Sequence, residues 1–148
     1  MKIKNNLVVA LLFLITACHA QPKTSEIFAP EGKAIKGYDP VAFFKQQKPV
    51  MGTDSLVFTY KDARWFFSSR ENLDAFKENP MQYAPQYGGY CAYGTSQGHK
   101  APTETDTWTI LNNKLYFNYN QDVRKKWMKD QEGYIKKADE QWPMIKDK

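Results

Sequence analysis

The spacing of apolar residues along the chain predicts two antiparallel β-hairpins. Alternate residues share one face of a strand, so runs of period two indicate half-buried strands. The first hairpin is predicted from Leu56, Phe58 and Tyr60 and, beyond a turn at Lys61-Asp62, from Ala63, Trp65 and Phe67. The second is predicted from Trp108 and Ile110 and, beyond Asn112-Asn113, from Leu115, Phe117 and Tyr119. Asparagine tolerates the left-handed conformation that tight hairpin turns require.

Capping residues predict two short helices on either side of the first hairpin. Asp39 followed by Pro40 is typical of a helix start, and Val41 to Phe44 then forms one short apolar helix. The Ser-x-x-Glu pattern from Ser68 to Glu71 predicts a capping box. The helix that it opens stops at Asn79-Pro80, because proline does not continue a helix.

A helical period returns in the last part of the chain. After Asn120, which we predict as an N-cap, apolar residues recur one helical step apart at Val123 and Trp127 and then at Tyr134, Ala138 and Trp142. This spacing predicts one broken helix or two consecutive helices. The complete pattern therefore predicts an α+β fold: a small single domain of two antiparallel β-hairpins with short helices and a C-terminal helical segment.

The composition agrees with one compact domain. The chain has 148 residues, and 15% of them are aromatic. Aromatic side chains bury a large area each, so a chain of this length has enough material for one core.

The first residues have the features of an export signal. Lys2 and Lys4 precede an apolar run from Leu7 to Ile15 that is too short to span a bilayer, and Cys18 ends a sequence similar to a bacterial lipobox. We predict a signal peptide over residues 1–18, lipid modification of Cys18, a tether over residues 19–33 and a domain over residues 34–148. Ordinary cleavage after Ala20 and an uncleaved anchor helix are the alternatives.

This reading predicts an exported lipoprotein, anchored to the membrane in the periplasm or at the cell surface. Residues 19–148 keep 19 of the 21 basic residues and all 16 acidic residues, a formal charge of +3. Nucleic acid is not expected as a partner, because this charge is small and an exported protein does not meet nucleic acid in the cytosol. The membrane is the predicted partner, and no pattern identifies a protein partner.

The stretch from Tyr87 to His99 is the best candidate for chemistry. It contains the only cysteine and the only histidine beyond residue 19, Cys91 and His99, and four of the eight glycines. A thiolate and an imidazole suit copper or zinc, with Asp39, Met51 or Met81 as candidate further ligands. Gly88, Gly89 and Tyr90 form a candidate ligand loop, although paired glycines are also explained by positive φ values.

Several segments taken together resemble the YHS family, in its branch of exported or lipid-anchored bacterial proteins. The resemblance covers about Ala34 to Pro143 and is carried by Gly37 to Phe44, Trp65 to Ser69, Asn72 to Phe76, Asn79-Pro80, Tyr83 to Pro85, Tyr87 to Ala92, Trp108 to Ile110, Leu115 to Tyr119 and Trp142-Pro143. It implies a small α+β domain and kinship with cysteine-bearing modules that bind heavy metals such as copper. This chain has Ala42 and Ser68-Ser69 where those modules carry cysteines, so their metal site does not transfer to these positions.

Three functions stay open on the sequence. The first is a non-enzymatic domain that binds copper, zinc or a small ligand at the Cys91 loop. The second is a thiol or redox enzyme that uses Cys91, which would need a lowered thiol pKa. The third is a structural or partner-binding module in which Cys91 packs as a small apolar residue.

Overall fold

The structure, a computed structural model, describes residues 25–148 and has the predicted α+β architecture. The α-helices in this range are α1 Pro40–Lys45, α2 Arg70–Glu78, α3 Pro80–Tyr83, α4 Ala92–Ser96, α5 Gln121–Trp127 and α6 Gln131–Ile145. The β-strands are β1 Thr53–Tyr60, β2 Ala63–Phe67, β3 Glu104–Leu111 and β4 Lys114–Asn118. The predicted signal peptide, Cys18 and residues 19–24 lie outside the described residues.

Both predicted hairpins are confirmed, and they form separate two-stranded antiparallel sheets. Strand β1 pairs with β2, and β3 pairs with β4. Each tight turn consists of two residues with positive φ, 50° and 59° at Lys61-Asp62 and 49° and 59° at Asn112-Asn113. Two left-handed residues give the turn whose twist matches the flanking strands.

Strand β4 lies between two hydrophobic clusters. Leu115 and Phe117 face the larger cluster, which is built on the first hairpin, α1 and α2. Tyr116 points the other way and packs with Trp127 in the smaller cluster. Because successive side chains of a strand point to opposite faces, one strand joins both halves of the core.

The cap of α2 lies one residue later than predicted. Ser69, not Ser68, is the N-cap, and its hydroxyl accepts a hydrogen bond from the Asn72 amide at 3.1 Å. The Ser68 hydroxyl instead donates to Asp39 Oδ2 at 2.7 Å. A tertiary contact therefore takes the serine that the local pattern assigns to the cap.

The C-terminal segment consists of two consecutive helices. Helix α5 has Asn120 as its N-cap, and a 3-10 turn at Met128–Asp130 separates it from α6. Asp130 then caps α6 by accepting a hydrogen bond from the Gly133 amide at 3.0 Å. Between residues 25 and 148, no helix has the length and apolar character needed to cross a membrane.

Residues 25–33, which the sequence analysis assigns to a tether, lie against the domain. We call them the strap. Ile27 is buried in the larger cluster, and the Phe28 amide donates to the Gly88 carbonyl at 2.9 Å. Among the described residues, the folded body therefore begins before Ala34.

Candidate functional site

Cys91 is buried at the N-terminus of α4. Its Sγ accepts hydrogen bonds from the amides of Gly94 at 3.3 Å and Tyr119 at 3.2 Å. The thiol donates to Asn118 Oδ1 at 3.6 Å, and only 1% of the residue is exposed. The sulfur therefore connects the first turn of α4 to the end of β4.

Burial keeps the Cys91 thiol protonated. Asn118 Oδ1 also accepts the Tyr93 amide at 3.2 Å, which orients the carboxamide oxygen towards the S–H. Burial raises the pKa of Cys91, and the amide donors of Gly94, Tyr119 and Tyr93 oppose that effect only in part. A neutral thiol is a poor nucleophile, so this geometry is that of a structural cysteine.

We expect Cys91 in the folded full chain to react slowly with iodoacetamide at pH 7.5, and quickly once urea exposes it. Burial blocks the access of the reagent to the sulfur, and the raised pKa lowers the fraction of Cys91 that is present as thiolate. Mass spectrometry of the peptide that contains Cys91 measures the rate. Because burial holds the pKa of Cys91 above that of a free thiol, the labelling rate of the folded chain should stay below that of a small free thiol at every pH up to that pKa. Fast labelling below pH 8 would favour the thiol enzyme instead.

His99 lies close to Cys91 in the fold but is exposed. Its Nε2 is 3.3 Å from the position that a Cβ on Gly94 would occupy, and its amide donates to the Gly94 carbonyl at 3.2 Å. Gly94 thus lies between the imidazole and the thiol. The structure brings two of the predicted metal ligands into the same neighbourhood.

Asp39 belongs to a different network. Its Oδ1 accepts the amides of Val41 and Ala42, and its Oδ2 accepts donors from Ser68 and Asn72. These partners are not shared with Cys91, and both carboxylate oxygens are already used. Across residues 25–148, no group of three or more His, Cys, Asp or Glu side chains has the arrangement of a metal site. The set of Cys91, His99 and Asp39 therefore does not fit one metal ion.

The predicted ligand loop is covered by the strap. Gly88 and Gly89 have φ of 62° and 88°, and a Cβ on Gly88 would collide with the carbonyl oxygen of Glu26. The Tyr90 hydroxyl donates to the Ser25 carbonyl at 3.0 Å. The paired glycines are thus explained by positive φ and by the close approach of the strap.

A cleft of about 250 Å³ opens beside Gly88. Its walls come from the strap, the turn of the first hairpin, the segment from α3 to Gly88, and α6. The residues that line it are Glu26, Ile27, Tyr60, Lys61, Met81, Ala84, Pro85, Gln86, Tyr87, Gly88, Asp139, Trp142 and Pro143. The walls are mainly aromatic and apolar, with a few charged groups, as is typical of small-molecule sites.

Two polar pairs define the chemistry of this cleft. The Lys61 ammonium lies 2.6 Å from Glu26 Oε1, and the Tyr87 hydroxyl donates to Asp139 Oδ1 at 2.9 Å. Burial, together with the hydrogen bond to Asp139 and its negative charge, raises the pKa of Tyr87 far above its usual value. Tyr87 therefore stays protonated and acts as a donor.

Comparison of the chain with family models, curated proteins and solved structures finds no match.

The sequence analysis did not identify the two carboxylates that contribute to the polar chemistry of the cleft. Glu26 lies in the predicted tether, and Asp139 is one of several charged residues on an exposed helical face. No local pattern distinguishes either carboxylate. Trp142 was assigned to a helix face, which is correct, but its packing against Tyr87 at 5.9 Å between ring centroids depends on the tertiary fold.

Proposed function

We propose that the chain is an exported, lipid-anchored domain of the YHS type that binds a small ligand in the cleft beside Gly88 and does not catalyse a reaction. The observation that carries this proposal is the cleft itself, which combines the aromatic side chains of Tyr60, Tyr87 and Trp142 with charged groups at its edge. Its volume of about 250 Å³ lies slightly below the usual range for drug-sized ligands, which favours a small molecule.

The protonated thiol supports a binding role over a thiol enzyme. Sγ is engaged by Gly94, Asn118 and Tyr119, and the pKa of Cys91 is raised by burial. An enzyme that uses this cysteine would need the opposite shift and access for its substrate. The cleft beside Gly88, unlike the buried Cys91 thiol, is open to solvent, so a ligand can reach it.

Filling the cleft should abolish binding. We expect Gln86→Trp, which places an indole in the cleft, to lower the affinity for ligands at least tenfold, because the volume they need is then occupied. Ligand-observed NMR of the full chain in detergent, with a library of small aromatic and aliphatic compounds, gives the hits and their affinities.

Gln97→Trp is the matched control, because Gln97 is exposed and is not part of the cleft wall. It should leave the affinity of every hit unchanged. A library without hits, or hits that bind Gln86→Trp as well as they bind the original protein, would refute the proposed function. Circular dichroism verifies that both variants are folded.

Copper or zinc binding through Cys91 and His99 is a second proposal. The observation in its favour is that the thiol and the imidazole both adjoin Gly94. Binding would require loss of the thiol proton, displacement of the Asn118 contact and further ligands. Protection of Cys91 from iodoacetamide by Cu(I) or Zn(II), lost in His99→Ala, would support it, and identical labelling with and without metal would exclude it.

A further inference from the structure

The charges of the cleft are unbalanced. Glu26 and Asp139 contribute two carboxylates, and Lys61 contributes the one ammonium. Lys61 lies 2.6 Å from Glu26 Oε1, so these two charges compensate each other. No Lys, Arg or His between residues 25 and 148 forms an ion pair with Asp139. The cleft therefore has a formal charge of −1, centred on Asp139.

Asp139 is also held in position as an acceptor. The Tyr87 hydroxyl donates to Oδ1 at 2.9 Å, and no other described residue donates to Oδ2. Since Tyr87 is buried and protonated, the hydrogen bond orients the carboxylate without neutralising it. One carboxylate oxygen is left for a donor that enters the cleft from solvent.

The aromatic walls favour the same sign of charge in a ligand. The faces of indole and phenol rings carry negative potential and attract ammonium groups. Trp142 and Tyr60 both line the cleft, and the Lys61 ammonium already lies 5.8 Å from the centre of the Tyr60 ring. Because Lys61 already lies over Tyr60, Trp142 is the ring that a positively charged ligand meets beside the Asp139 carboxylate.

We infer that the cleft binds a small organic cation, an amine with an aromatic or apolar body whose ammonium group contacts Asp139. This inference rests on the proposed function and specifies the ligand class. The apolar body lies against Trp142, Pro85 and Pro143, which provide most of the buried area. The bound ammonium donates to Asp139 Oδ2, the oxygen that Tyr87 leaves available.

Three probes of similar shape and different charge test the inference: phenethylamine, 2-phenylethanol and phenylacetate. Each is titrated against the full chain in detergent by saturation-transfer NMR at low and high salt. Phenethylamine should bind severalfold more tightly than the alcohol, because its ammonium group gains a charge-assisted hydrogen bond to Asp139 that a hydroxyl does not match. Phenylacetate should bind most weakly, and salt should weaken only phenethylamine.

Two variants test whether the negative charge that attracts phenethylamine is that of Asp139. Asp139→Asn keeps an acceptor for Tyr87 but removes the charge, and should reduce the affinity for phenethylamine to that of the alcohol. Glu140→Gln removes the neighbouring carboxylate, which does not line this cleft, and should leave the affinity unchanged.

The outcomes separate this inference from the proposed function. If phenylacetate binds as tightly as phenethylamine or more tightly, or if Asp139→Asn keeps its full affinity for phenethylamine, the inference of a cationic ligand is wrong. The proposed ligand site in the cleft is not affected by that result. If none of the three probes binds but the compound library gives hits that Gln86→Trp abolishes, the ligand class is wrong and the proposed function stands. If the library is empty as well, both are wrong.

Discussion

Asp39→Ala should lower the free energy of unfolding by at least about 3 kcal/mol, because several buried donors lose their acceptor and each costs about 1–3 kcal/mol when left unsatisfied. The Asp39 carboxylate is fully buried and accepts five hydrogen bonds, two from the first turn of α1 and three from Ser68 and Asn72. It holds the start of α1, the end of β2 and the start of α2 together. Urea denaturation followed by circular dichroism measures the change.

Asp54→Ala is the matched control for this substitution. The Asp54 side chain is 90% exposed, and its nearest ion-pair partner, Lys33, is 3.9 Å away. Exposed pairs of this kind contribute little, so the change in unfolding free energy should stay below about 1 kcal/mol. Similar effects for both variants would show that the hydrogen-bond network of Asp39 does not stabilise the fold.

Gly88→Ala should displace the strap from the domain. An added Cβ would meet the carbonyl group of Glu26, a backbone group that cannot rotate aside as the end of a side chain can, and φ at Gly88 is 62°. The left-handed conformation alone costs about 1–2 kcal/mol for a residue with a Cβ, and the collision adds to it. We expect a lower melting temperature and faster cleavage by trypsin after Lys33, read by mass spectrometry.

Gly98→Ala separates the two causes. Gly98 also has a positive φ, 84°, but the nearest atom to its added Cβ is Oε1 of Gln141 at 3.2 Å, at the end of a flexible side chain. This variant should show the conformational cost without release of the strap. Equal rates of trypsin cleavage in the two variants would contradict the role of Gly88 in holding the strap.

The hairpins and the terminal helices were predictable because their signals are local. Lys61-Asp62 and Asn112-Asn113 lie between runs of period two, and both pairs adopt the left-handed turn. Asn120 is the predicted N-cap of α5. A local signal failed where a distant residue competed for the same group, as Asp39 does for Ser68 across 29 residues.

For the candidate site, the sequence predicts which residues are involved but not which distant residues contact them. Cysteine is rare in the chain, which makes Cys91 a candidate. Its sulfur, however, accepts a hydrogen bond from the amide of Tyr119, 28 residues away in the chain, and no local pattern predicts this contact. Likewise, the paired glycines were evident, but the segment that passes over them comes from residues 25–33. The cleft combines four separate segments, so no periodicity or motif indicates it.

If Cys18 carries the proposed lipid, the attachment of the strap limits the distance between the domain and the membrane. The Ser25 carbonyl accepts hydrogen bonds from the Tyr90 hydroxyl at 3.0 Å and the Lys100 ammonium at 3.2 Å. Seven peptide steps separate Ser25 from Cys18. At no more than about 3.6 Å per residue, this connection spans at most about 25 Å, which is less than the diameter of a compact domain of this size. A lipidated chain would therefore stay close to the bilayer, and release of the strap would lengthen this connection by nine residues.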